Sequence, residues 1–476
     1  MVVTAAQIKS KTTPWAHQVH AYNLVCNQPA TMLAHDMGCG KTKPVVDAIC
    51  NLDDCNRVLI LCPKSVIDVW PAEFAKHGCC PVNVVPLRDG TIRRRTKEAQ
   101  TKILLAEARK EKIALIINYE AAWREDFAKL AQTTIWDMVV ADECHRIKSP
   151  GGKISWFMKR LGPRAKRRVG LTGTPLPHSP LDAYGQYRFL DSTIFGTSFV
   201  RFRARYAVMG GYGSNVGTPR QVIGFQNQDE LHKKFYSIAH RVKKADVLDL
   251  PEVVHERRII HLSSHARRLY DELKSEFITD VGSGVITAAN ALSRLLRLQQ
   301  ITSGFGVIET GSKVEVDQGK YDALVDIFSD LDQSESVVVF CRFTRDIEQV
   351  HKAAELKILN RKLARKCYEL SGQFNELAEW KESKTGDVLA VQIQAGGVGI
   401  DLTRAAYCIY YSLGFSLGDY EQSLARLHRP GQTRSVTYLH LVAKNTVDEQ
   451  VYAALRKRRK VVEEILSQIK EVASCQ

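Results

Sequence analysis

The chain has 476 residues, 45% apolar and 25% charged, which excludes a disordered or fibrous protein and provides for roughly two to four soluble domains. Lys and Arg outnumber Asp and Glu by 67 to 52, a net charge of +15 that favours a polyanionic partner without giving sequence specificity. No apolar run approaches the roughly 18–20 residues that span a bilayer. The twelve cysteines include no C-x-x-C pair, which argues against a zinc ribbon and fits a reducing compartment.

The N-terminal segment carries Pro14-Trp15-Ala16-His17-Gln18 before an amphipathic helix (Val19, Ala21, Tyr22, Leu24, Val25). An amide such as Gln18 both donates and accepts, as reading adenine requires, although alone it reads as a solvated residue. Next comes Leu33-Ala34-His35-Asp36-Met37-Gly38-Cys39-Gly40-Lys41-Thr42, a phosphate-binding loop. Gly38 and Gly40 let backbone N–H groups curl around phosphate oxygens. Lys41 then reaches the β- and γ-phosphates, and the Thr42 hydroxyl ligates Mg²⁺. The following helix presents its positive end to the anion, with Pro44 in its first turn. His35 stands where the first glycine of G-x-x-x-x-G-K-[ST] belongs.

Arg57 to Cys62 and Ile113 to Ile117 are continuous apolar runs, the mark of buried parallel strands. The first ends in Pro63-Lys64-Ser65, and Trp70 beyond it reads as a core anchor. Thr91 to Lys112 is basic and helical. The strand from Trp136 to Ala141 delivers Asp142-Glu143-Cys144-His145. Asp142 would complete a Mg²⁺ shell and Glu143 would polarise an attacking water. Arg167 to Pro175 is the next strand and its edge, where the Thr172 and Thr174 hydroxyls can relay nucleotide state to a neighbouring domain. Alternating strands and helices to this point predict a doubly wound parallel sheet.

Between about 191 and 330 the alternation breaks. Glycine-rich turns at Gly210 to Gly213 and Asn215 to Gly217 predict a hairpin, and Ser264 to Ile278 and Ile286 to Ile301 read as long helices protruding from the core. Buried strands resume at Ser336 to Phe340, Asp387 to Val391, Ala406 to Tyr411 and Val436 to Val442. Arg426 and Arg429 are three apart, which places two guanidiniums on one helix face, suited to polyphosphate charge. Thr446 to Glu449 is a capping box opening a C-terminal helix. Basic clusters at 93–95, 159–168, 201–205, 361–366 and 456–460 favour a nucleic-acid track.

Taken together and in order, these motifs resemble helicase superfamily two, and within it the Swi/Snf-type DNA translocases. Asp36 to Thr42 is similar to that family's Asp-Glu-Met-Gly-Leu-Gly-Lys-Thr loop. Asp142 to Lys148 is similar to its Asp-Glu-Ala-His-Arg-Ile-Lys box, and Leu171 to Pro175 to its third motif. Ala395 to Thr403 resembles the fifth, with Asp401 where Asn is common. Gln422 to Gln432 resembles the sixth, with Ala425 for Gly and Pro430 for Ile.

The resemblance implies an α/β chain of two RecA-like lobes with helical protrusions inserted between them. Lobe 1 is expected over 1–195, the protrusions and crossover over 196–320, lobe 2 over 321–447 and a C-terminal helix over 448–476. ATP and Mg²⁺ are the implied cofactors, held by Gln18, Asp36, Met37, Gly38, Cys39, Gly40, Lys41 and Thr42, with Gly399 and Asp401 from lobe 2. Lys41, Asp142, Glu143, Arg426 and Arg429 would be catalytic, the arginines as fingers acting in cis, and Thr42 and Asp142 the metal ligands. His145, Thr172, Thr174 and Gln422 would couple hydrolysis to movement. Lys64, Ser65, Arg342, Phe343, Gln394 and Thr403 would line a DNA groove.

The implied function is a DNA-stimulated ATPase that translocates on duplex or branched DNA, remodelling forks or displacing bound proteins. A strand-separating DNA or RNA helicase and an ATP-switched clamp without turnover are the alternatives. With no targeting module recognised, the expectation is a monomeric bare motor of a bacterium or its virus, cytoplasmic and dependent on a partner protein or DNA structure for direction. A nuclear location is expected only if the source is eukaryotic.

Overall fold

The computed structural model describes residues 2–176, 179–210, 221–247, 249–282, 288–307, 313–356, 365–394 and 400–457. The chain divides between Asp249 and Leu250 into two units. The first begins with helix α1 (Ala16–Asn27), strand β1 (Ala30–His35) and helix α2 (Thr42–Asn51). Strands β2 (Arg57–Cys62), β3 (Val82–Pro86), β4 (Lys112–Asn118), β5 (Trp136–Asp142) and β6 (Ala165–Leu171) follow, with helices between them. A two-stranded antiparallel hairpin, β7 (Ala207–Gly210) and β8 (Gln221–Phe225), precedes the last strand, β9 (Ala239–Val242).

The seven strands run in the order β3-β4-β2-β5-β6-β1-β9, every pair parallel. Parallel neighbours need crossovers, and helical crossovers cover both faces. That is why Val58 to Cys62 and Ala114 to Ile117 are apolar without alternation and fully buried. The basic helix expected over 91–112 ends at Arg109, with Lys110 at a positive φ of 55°. Lys112 instead opens β4 and caps the far end of α2, its ammonium donating to the carbonyls of Ile49, Leu52 and Cys55.

The second unit starts with β10 (Val253–Ile260), which lies parallel beside the last strand of its sheet over eight residues. A short antiparallel pair, β11 (Phe305–Val307) and β12 (Lys313–Glu315), follows two long helices. Then come β13 (Val337–Cys341), β14 (Cys367–Leu370), β15 (Val388–Gln392), β16 (Tyr407–Tyr410) and β17 (Val436–Ala443). The order is β10-β17-β16-β13-β15-β14, again all parallel.

The stretch between the two sheets is shared out. β9 joins β1, and Phe202, Tyr206, Leu231 and Phe235 enter the first unit's core. The helices Ser264–Gly282 and Ala288–Thr302 bury Ala266, Tyr270, Leu295 and Leu298 in the core of the second sheet. Their apolar faces therefore act as a layer on that sheet. The predicted turns at 211–217 lie outside the described residues. Thr446 is the cap of the helix Val447–Arg456, accepting from the Asp448 N–H at 3.2 Å.

One buried arginine closes the base of the second sheet. Arg365, 4% exposed, donates to the carbonyls of Leu331, Asp332, Glu335 and Gly386 at 2.6–2.9 Å. Removing it strands several buried acceptors at once. We expect Arg365→Met to destabilise this unit by about 3 kcal/mol or more, read as a lowered urea midpoint, whereas a shift within about 0.5 kcal/mol would show that water replaces the guanidinium.

Candidate active site

The phosphate loop leaves β1 at His35 and enters α2 at Thr42. Gly38 and Gly40 have φ of 89° and 63°, values that favour glycine. At Gly40 a Cβ would also lie 2.4 Å from Gln18 Nε2, so a side chain there would displace that amide. Gln18 is buried rather than solvated. Its Nε2 donates to the Gly40 carbonyl at 3.1 Å, and its Oε1 accepts the Trp15 N–H at 2.9 Å. His17 Nε2 sits 2.8 Å from the Cys39 carbonyl. Two successive carbonyls of the loop are thus tied back to α1. Asp36 and Met37 fix the entry: the Asp36 carboxylate accepts the Lys244 N–H at 3.1 Å, and Met37 lies against the Cα of Gly173.

β5 lies two strands from β1, with β6 between them, and its end brings Asp142 and Glu143 to the loop. Lys41 Nζ is 3.8 Å from Glu143 Oε1. Glu143 adopts a left-handed conformation, φ 49°, strained for a non-glycine residue. It follows a side chain folded over its own backbone: Asp142 Oδ1 accepts the Glu143 N–H at 3.0 Å. Glu143 Oε2 lies 3.3 Å from His145 Nδ1, which is 3.2 Å from the Thr172 hydroxyl. That hydroxyl accepts the Thr174 N–H at 3.1 Å. His145, Thr172 and Thr174 therefore form one chain running from the acidic pair to the edge of β6.

Two residues not assigned to the site by sequence reasoning hold Asp142. Trp70, buried as its core reading requires, also donates its indole N–H to Asp142 Oδ2 at 3.1 Å. Tyr119 donates its hydroxyl to the Asp142 carbonyl at 2.7 Å. Tyr119 immediately follows β4, where ligands gather at the ends of parallel strands; Trp70 gave no comparable signal. Burial, reinforced by the Glu143 carboxylate, raises the Asp142 carboxyl to about 6.

Lys64 and Ser65 form an exposed turn at the end of β2. In the second unit, the helix Leu417–Leu427 carries buried Gln422 and Arg426 and stops there. Arg429 lies beyond it, because Pro430 and a positive-φ Gly431 (102°) turn the chain away, so the two arginines do not share a helix face as their spacing predicts. Arg429 donates to the Ile400 carbonyl at 3.1 Å. Asp401 accepts from the Thr403 N–H and hydroxyl at 3.0 and 2.8 Å. Gly399, with Ala395 to Val398, lies outside the described residues. Gln394 is exposed. Arg342 lies over the Phe415 ring at 4.1 Å and donates to Gln299, and the Phe343 N–H is held by Asp346.

The model of the SNF2-related domain matches residues 17–304, and that of the helicase conserved C-terminal domain matches 319–431. The chain belongs to the SNF2-related family. Its two domains are of the ATP-dependent helicase and translocase type, and it is accordingly an ATPase enzyme. An uncharacterized ATP-dependent helicase of Mycoplasma genitalium is 25% identical over 452 residues, covering 92% of this chain and 40% of that protein. Protein p41 of the Acyrthosiphon pisum secondary endosymbiont phage 1 is 24% identical, covering 91% and 94%. The chromodomain-helicase-DNA-binding protein 1-like of Danio rerio is 26% identical, covering 94% and 44%. The chain thus spans less than half the length of the first and third of these relatives. Among the described residues no helix is long and apolar enough to cross a membrane.

A hydrogen bond to the charged form of a carboxyl holds its pKa down, so Trp70 keeps Asp142 ionised nearer neutrality. An ionised Asp142 is the form that can pair with a cation, so ATPase activity is expected to fall as pH drops through about 6. Trp70→Phe should move that acid limb to higher pH and lower the rate at pH 7 by about 10–100-fold, the range seen when a hydrogen-bond partner behind a site carboxylate is lost. An unshifted pH–rate profile would reduce Trp70 to a packing residue.

Proposed function

We propose that the chain is a DNA-stimulated ATPase that moves along duplex or branched DNA. One observation carries the reading: a glycine loop, its lysine and two adjacent carboxylates meet at the strand ends of the first sheet, with Lys41 3.8 Å from Glu143. In this reading Lys41 holds the β- and γ-phosphates, and Glu143, braced by Lys41 and His145, orients the attacking water.

The residues present fit a magnesium ion. Asp142 at the end of β5 and Thr42 at the start of α2 would hold it, since both offer hard oxygen donors, the kind such an ion takes. Bound there, Mg²⁺ would neutralise polyphosphate charge. Arg426 and Arg429 are proposed to stabilise the charge spread over the transferring phosphoryl group. The Glu143–His145–Thr172 chain would report the state of the acidic pair to the edge of β6.

The DNA assignment is supported by the net charge of +15, by the exposed Lys64 and Ser65 beside the site, and by the DNA-binding name of the Danio rerio relative. Backbone contacts dominate such binding, so it should tolerate any sequence and weaken steeply with salt. The phage relative, matched over nearly its whole length, supports a motor acting in the cytoplasm of a bacterial or infected cell.

The test is steady-state ATP hydrolysis against single-stranded, duplex, forked and four-way DNA, and RNA. We expect stimulation by duplex or branched DNA, and loss of turnover in Lys41→Ala and Glu143→Gln. Arg426→Ala or Arg429→Ala should lower the rate by about 10³-fold or more, as arginine fingers do. Equal rates with and without every nucleic acid would overturn the DNA assignment.

A further inference from the structure

His35, where a glycine begins the usual phosphate loop, has its partner on β9. It is fully buried, and its Nε2 lies 3.0 Å from Nδ1 of His240 on β9. A bond between two imidazole nitrogens requires one N–H and one lone pair, so the two rings cannot both be protonated and keep it. The His35 ring also meets His17 edge-on, centroids 5.8 Å apart, and His240 meets His20 at 4.5 Å. Exposure rises along the row: His35 is buried, His240 half-buried and His20 exposed. His17 in turn touches the Cys39 carbonyl within the loop. The row thus connects solvent to the phosphate loop and crosses the β1–β9 pairing, where Asp36 N–H donates to the Val242 carbonyl at 2.9 Å.

We propose that His35 and His240 form a neutral imidazole pair that positions the phosphate loop, and that acid releases it, making nucleotide binding pH-sensitive. The proposal rests on the reading of Asp36 to Thr42 as a nucleotide site. The groups facing the pair are unfavourable to added positive charge: His17 and His20 from α1 and Lys41 from the loop. The nearby carboxylate, Asp36, is turned to accept the Lys244 N–H. His35 Nδ1 is buried with no hydrogen-bond partner, so a second N–H there would find no acceptor. Burial and the neighbouring charges push His35 down to about 2 and His240 to about 4.

The sign follows from linkage. Freed imidazoles titrate near 6.5, so an opened loop binds protons that the closed loop refuses. Opening is favoured as pH falls below about 6.5, by up to about tenfold per histidine at pH 5.5. The pair is a positioning element, and its signature is a pH dependence that mere packing lacks.

The experiment is hydrogen–deuterium exchange of the peptides covering 33–42 in the full chain at pH 7.5 and 5.5, corrected for the intrinsic change in exchange rate. We expect opening in the wild type to rise by about tenfold or more in acid relative to the Lys112–Asn118 strand. His35→Gln/His240→Asn places amide nitrogens or oxygens near the same positions without a titratable proton, and should flatten the dependence. His240→Phe should raise exchange of the loop at both pH values by about 3–10-fold, the worth of one hydrogen bond. A parallel acid response in the wild type and the double variant overturns the proposal. Addition of Mg²⁺-ATP at pH 7.5 tests the underlying reading separately: protection of 33–42 supports it, and its absence overturns the nucleotide site whatever the pH response.

Discussion

Two carboxylates side by side at the end of one strand impose the main electrostatic demand on this molecule. Asp142 and Glu143 are both nearly buried, and like charges so close disfavour joint ionisation. The surrounding residues answer that demand with donors and a cation: the Trp70 indole and the Glu143 amide on Asp142, and Lys41 beside Glu143. The balance is incomplete, since the Asp142 carboxyl still rises to about 6. A second cation would complete it. The proposed polyphosphate at the loop that supplies Lys41 would bring that cation with it.

The same demand explains how firmly the loop is held. A loop proposed to offer its amides to phosphate needs partners for its carbonyls. Gln18 and His17 provide them for Gly40 and Cys39, and a Cβ on Gly40 would displace the Gln18 amide from its bond. β9 fixes the entry through the Asp36 N–H, which donates to the Val242 carbonyl, and through the His35–His240 bond. The attachments come from α1 on one side and β9 on the other, so the loop's shape depends on elements far from it in the chain.

Much of this was legible in the sequence. The unbroken apolar runs at β2, β4, β5, β13 and β15 identified parallel strands, and the glycine loop, the Asp142-Glu143 pair and the arginine segment appeared in an order that resembled one family. What escaped has physical reasons. β9 is four residues of mixed polarity whose strand state depends on pairing with β1, a tertiary effect that no local pattern encodes. Trp70 looked like any buried aromatic, because a hydrogen bond from an indole N–H leaves no trace in periodicity. Gln18 looked solvated for the same reason. The spacing of Arg426 and Arg429 implied a common helix face, but the Pro430-Gly431 turn ends the helix first. His35 read as a defect in the loop; its partner is 205 residues away.

A buried acidic pair beside the loop should make nucleotide binding depend on a divalent cation. The most direct measurement is the shift in thermal midpoint on adding ATP, with Mg²⁺ and with a chelator, for the wild type and Asp142→Asn. Ligand that binds only the folded state raises the midpoint in proportion to its affinity. The account predicts a rise of several degrees with Mg²⁺-ATP in the wild type, little with ATP alone, and a much reduced difference in Asp142→Asn. An equal rise with and without Mg²⁺ in both proteins would contradict it.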